Sequence, residues 1–137
     1  MKLHAVFAFA LFTSTTALAG CTSSTSDDAA PAGPIVDSLD VPAQTSTMTV
    51  QGQSGPGVVL TLTAHDDSSG ISALHVAFVE ANAEQVIEIP SGPTKLEGQK
   101  IELVLVNAPK GDHPVGFYLS DAAGHHSATI NKTITVL

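Results

Sequence analysis

The feature that most constrains this chain is a run of strict side-chain alternation between residues 58 and 65. Val58, Leu60, Leu62 and Ala64 fall on one side of an extended backbone, and Val59, Thr61, Thr63 and His65 on the other. A period of two collects one apolar face only on a strand; on a helix the same residues would scatter around the axis. The pattern recurs down the chain. Leu74, Val76 and Phe78 alternate with His75, Ala77 and Val79. Ile87 and Ile89 mark a short partner beyond a turn at 81–84. Ile101, Leu103 and Leu105 form one further run, and Val115, Phe117 and Leu119 another. A last run takes Ala128, Ile130, Ile134 and Val136, with Lys132 breaking its phase. Near the start, Pro42 splits an extended segment into 35–41 and 47–50. Val and Thr dominate, as half-buried pleated surfaces prefer.

Turn residues separate these runs at 52–57, 66–70, 90–93, 109–111 and 121–124. Seven to eight short antiparallel strands at this spacing predict an all-β domain, a β-sandwich over residues 35–137. Its aromatic residues are Phe78, Phe117 and Tyr118, so the core is expected to be aliphatic with two phenylalanines as its largest pieces.

Two short motifs add to this reading. Asp67-Ser68-Ser69-Gly70-Ile71 has the form D-x-S-G-I. Gly111-Asp112-His113 leads into alternating Val115, Phe117 and Leu119, then Asp121-Ala122-Ala123-Gly124. With them the segment 35–137 resembles the bacterial immunoglobulin-like or fibronectin-III-like domains of surface proteins. The resemblance implies an Ig-like β-sandwich in which Asp67, Gly70, His113, Asp121 and Gly124 serve as structural turn residues. The sequence departs from the family where His113 stands in place of the usual corner tyrosine and His125 in place of asparagine. A ring nitrogen of His113 bonded to a nearby carbonyl would fill the tyrosine's role. The cysteine pair and core tryptophan of antibody domains are absent, which sets that subfamily aside.

Upstream of this head the composition changes twice. Lys2 and His4 precede an apolar stretch from Ala5 to Phe12, too short to span ~30 Å of hydrocarbon. Leu18-Ala19-Gly20-Cys21 follows. These residues form a lipobox, and the chain here resembles a bacterial lipoprotein. The resemblance implies a signal peptide over 1–20, diacylglycerol on the Cys21 thiol, cleavage before Cys21, and acylation of the new amine. It also implies an address in the bacterial cell envelope. In the family an Asp after the cysteine retains the protein in the inner membrane, so Thr22 favours the outer membrane in a two-membrane cell. The alternative is an ordinary secreted protein cut after Ala19. Residues 21–34 (CTSSTSDDAAPAGP) have no hydrophobic period and read as a flexible tether holding the head off the bilayer.

Charge and chemistry narrow the function classes. Five lysines, no arginine and 13 carboxylates give a net charge of −8, the wrong sign for nucleic acid. A single cysteine excludes an internal disulfide and any multi-thiolate metal site. No P-loop or H-E-x-x-H occurs, and Gly52-Gln53-Ser54-Gly55-Pro56-Gly57 has the wrong spacing for a nucleophile elbow. The expectation is therefore no enzyme and no cofactor beyond the lipid on Cys21. If the 66–70 and 121–124 turns share one end of the sandwich, they bring His65, Asp66, His125 and His126 near Asp67 and Asp121. Imidazoles and carboxylates together suit Zn²⁺ or Cu²⁺. The competing readings are that the aspartates merely cap their own bends, or that Asp66, Asp67 and Asp121 hold calcium. For a protein or glycan partner, one sheet would present Ala73, His75, Ala77, Val79, Val86, Tyr118, Thr129 and Thr133, with His75 solvated. The other would present Val59, Val104 and Val106. The sequence does not choose between these faces.

Overall fold

A computed structural model describes residues 2–8 and 33–137, and among these there is no helix. The strands are β1 (Leu3–Ala8), β2 (Ile35–Asp40), β3 (Ser46–Val50), β4 (Gln53–His65), β5 (Ile71–Phe78), β6 (Ala83–Glu88), β7 (Lys95–Val106), β8 (Gly111–Asp121) and β9 (Ile130–Val136). They form two sheets. One runs β1-β7-β4-β2, with β3 also paired to β4; the other runs β6-β5-β8-β9. All neighbours are antiparallel except β1, which lies parallel to β7. This is the β-sandwich the alternation predicts, of the Ig-like kind that the resemblance implies.

Register explains why the sheets face each other. On β4, Val58, Leu60 and Ala64 align with Leu103, Ile101 and Leu96 on β7, and Leu62 shares their face. Leu74, Val76 and Phe78 on β5 align with Leu119, Phe117 and Val115 on β8. All are buried, and with Ile71, Ile87, Ile89 and Ile134 they make one core between the sheets. Phe78 and Phe117 are its two largest fully buried side chains.

The structure corrects several local expectations. The 52–57 turn shrinks to Gln51-Gly52, both at positive φ, in the two-residue link between β3 and β4. Gly55 and Gly57 are strand residues. At Gly57 close approach requires glycine: a Cβ there would stand 2.6 Å from the Leu103 carbonyl oxygen and 3.0 Å from Met48 Sδ. Val104, expected outside, is 0% exposed. It sits in register with Gly57 and Val6, and a Cβ at Gly55 would be 3.5 Å from its Cγ1. Ala128 is exposed and precedes β9, because Ser127 bonds β8 there: its N–H to the Leu119 carbonyl, and its Oγ as acceptor of the Leu119 N–H.

Residues 3–8, part of the expected signal peptide, form strand β1. The lipobox, Cys21 and nearly all of the tether lie outside the described residues.

Candidate functional site

The 66–70 and 121–124 bends do share one end of the sandwich. Ala122 N–H donates to the Gly70 carbonyl at 3.1 Å, and the Ser68 hydroxyl reaches both Asp66 Oδ1 (2.7 Å) and Asp121 Oδ2 (3.4 Å). Asp66, not Asp67, caps the first bend, accepting the Ser68 N–H on Oδ1 at 2.8 Å. Asp66 is only 1% exposed, and its Oδ2 has no hydrogen-bond partner. Asp121 caps the second bend: its Oδ1 accepts N–H groups from Ala123 and His125, and its Oδ2 pairs with His125 Nδ1 at 2.8 Å. Gly70 and Gly124 both turn at φ +90°. His113 is buried, with Nε2 donating to the Pro109 carbonyl at 2.8 Å.

The four expected metal ligands are dispersed. His65 Nδ1 is bound to Asp37 on β2, Asp66 is committed to its bend, and His125 is committed to Asp121. His126 leans away onto the sheet face, 5.0 Å from the Tyr118 ring. Among the described residues no three His, Cys, Asp or Glu groups converge as metal ligands would.

These pairings fix an acid response. Burial alone would push the Asp121 carboxyl up, but bonds from the His125 ring, the His125 main chain and Ser69 outweigh it and hold it at about 2. A carboxyl depressed on folding adds stability above its ordinary value, and that contribution is lost as pH falls through the folded one. The head should therefore lose stability between about pH 4 and pH 2. His125→Ala should flatten that slope, as read from urea midpoints at pH 5 and 2.5. His65 acts in the opposite sense: its bond to Asp37 raises it above 6.5, so its contribution fades only as pH climbs past that raised value.

A second cluster lies on the outer face of the β6-β5-β8-β9 sheet. Register sets His75 of β5 opposite Val86 of β6 on one side and Tyr118 of β8 on the other. The His75 and Tyr118 rings stack at 4.4 Å between centroids, 9° from parallel. His126 adds a third ring, tilted 41° against Tyr118. Glu84 ties the group: His75 Nδ1 lies 2.6 Å from Oε1, and the Tyr118 hydroxyl donates to both carboxylate oxygens at 3.0 Å. The bond from His75, aided by the one from Tyr118, holds Glu84 below the usual carboxylate range. Burial and the bond to Glu84 push the Tyr118 hydroxyl up. Since the carboxylate can only accept, Nδ1 donates to Glu84, and Nε2 lies 3.0 Å from Ser120 Oγ. His75 is thus locked at both nitrogens rather than freely solvated.

Ser120, His75 and Glu84 therefore stand in the order and at the distances of a serine-histidine-acid relay. Acyl transfer also needs N–H donors aimed at a developing oxyanion. The amides flanking Ser120 are already used: Leu119 N–H by Ser127 Oγ, and Asp121 N–H by the His125 carbonyl. Ser120 itself is only 9% exposed. What the relay does is hold an imidazole rigidly in a ring-bearing surface. A hollow of about 500 Å³ adjoins it, lined by Ser72, His75, Val86, Glu88, Pro90 and Ser120. Exposed Val86 and Val79 extend the apolar character of this face. Alternation places His75 and Tyr118 there from sequence; His126 and Glu84 belong to turn and edge positions whose reach needs the fold.

A scan against protein-family models finds no match, and a search of curated proteins finds none. Among solved structures, the PKD domain of an M14-like peptidase from Thermoplasmatales archaeon SCGC AB-540-F20 is similar. The TM-score is 0.51 at 15% identity, over 78% of this chain and 98% of that one. At that identity the likeness concerns the fold alone.

Proposed function

We propose that this chain is a lipid-anchored protein of the bacterial cell envelope, whose Ig-like head is a non-catalytic binding module. The observation that carries the binding reading is the rigid ridge of His75, Tyr118 and His126 beside Val86 on one sheet face. Stacked rings give contact area at low entropic cost, and the carboxylate, hydroxyl and imidazole groups among them supply oriented polar partners. Such a mixture suits a protein or glycan partner. The anchor rests on the lipobox and its single cysteine.

Both parts have a direct test. Cys21→Ser should leave the precursor uncleaved and release the protein from the membrane fraction; unchanged fractionation would refute the anchor. Tyr118→Ser combined with His126→Ala should abolish chemical cross-links formed in intact envelopes by the wild-type protein, with the head still folded by circular dichroism. Cross-links that survive both changes would remove this face as the binding surface.

A further inference from the structure

The edge of β7 is the place where the fold and the lipobox make conflicting demands on one segment. Strand β7 has β4 on one side and β1 on the other, with Leu3 facing Ile101 and Ala8 facing Val106. Leu3 and Ala5, each 5% exposed, join the core at the open side of the sandwich. His4, between them, points outward and pairs its Nδ1 with Glu102 Oε2 at 2.9 Å. A signal peptide over 1–20 would carry all of this away on processing. The stretch left uncovered is Ile101-Glu102-Leu103-Val104-Leu105-Val106, with one charge and no proline. Bare edges of this kind are blunted or covered in soluble β proteins, because their unpaired amides and carbonyls template further pairing.

We propose that in the processed protein the β7 edge over residues 101–106 is a strand-accepting site for an extended segment of a partner protein, rests on the cleavage before Cys21 just proposed, and reads its occupant by the chemistry β1 displays. That chemistry is specific. The guest strand runs parallel to β7, places aliphatic side chains at two alternate inward positions, and carries a basic or imidazole side chain between them to meet Glu102. Main-chain bonds supply affinity and the alternate side chains supply selection, as in other strand-addition complexes. The chain's own tether does not fit: residues 22–34 bring Asp27 and Asp28 and no alternating aliphatics. A second copy fits less well, since its own 101–106 segment brings another Glu102 and no base.

The probe is a synthetic peptide of residues 2–8 (KLHAVFA), added to the processed protein in detergent after its N-terminus has been read by mass spectrometry. Hydrogen exchange of the amides in 101–106 should slow by about tenfold or more on adding the peptide. An Ala5→Pro peptide should give no protection, and a His4→Glu peptide should need a higher concentration. The Cys21→Ser precursor, which keeps its leader, should be protected without peptide and gain nothing from it. A mature terminus at Cys21 with no peptide-dependent protection would overturn the slot and leave the processing reading standing. A terminus still at Met1 would overturn both. Protection already present in the processed protein alongside a doubled mass would assign the edge to a second copy and overturn the partner strand.

Discussion

Phe117→Ala should lower the unfolding free energy of the head by about 3–5 kcal/mol, a large fraction of what a domain of this size possesses. The reason lies in the position of the ring. Phe117 is fully buried on β8, in register with Val76, one step from the Phe78–Val115 pair. Apart from Phe78, the described core around it is aliphatic, and these side chains, held on their own strands, relax only partly into the gap. The lost transfer energy and the cavity therefore add. Tyr118 is the control. It is the next residue on the same strand and points to the other face, so its ring packs on His75 and His126 rather than in the core. Tyr118→Ala should cost about 1 kcal/mol or less. Urea unfolding of both variants separates them, and a Phe117→Ala loss below about 1 kcal/mol would refute the account of the core.

That contrast also shows how far the sequence was readable. Adjacent residues on a strand take opposite faces, so the inward set 58, 60, 62, 64 and the ring-bearing outward positions 75 and 118 follow from counting by two. The split at Pro42 and the turn residues at 66–70 and 121–124 follow from local chemistry. Val104 does not. Its burial depends on glycines of β4 and on Val6, which only the register puts beside it. The expected metal cluster dispersed for a related reason. Sharing an end of a sandwich brings loops near each other, but two of the imidazoles are held by other carboxylates: His65 by Asp37 across the β2–β4 pairing, and His125 by Asp121 four residues back in its own turn. In the Glu84–His75–Ser120 chain the first pair crosses the β5–β6 hairpin, but Ser120 joins it from β8, 45 residues beyond His75. No local signature encodes such a meeting; only strand order does.

The two bends at the site end allow a sharper test, because they contain glycines of equal strain in unequal surroundings. Gly70 and Gly124 both have φ +90°. An alanine at either pays for that conformation, roughly 1–2 kcal/mol. At Gly124 nothing lies within 4 Å of the added Cβ, so the cost should stop there. At Gly70 the Cβ would stand 2.2 Å from the Gly92 carbonyl oxygen and 3.0 Å from its carbon, both backbone atoms that cannot swing aside. The 90–93 segment must then retreat. It takes with it the bond from Ile71 N–H to the Pro93 carbonyl at 2.8 Å, and it strains the one from Ala122 N–H to the Gly70 carbonyl at 3.1 Å. Each such bond is worth about 0.5–1.5 kcal/mol. Gly70→Ala should thus cost about 3–4 kcal/mol in all, well beyond Gly124→Ala. It should also loosen the Asp66–Ser68–Asp121 contacts, visible as faster exchange of the Ser68 and Ala122 amides. Equal losses from the two substitutions would mean that the 66–70 bend does not press on the 90–93 segment, and the packing of Gly70 against Gly92 would be wrong.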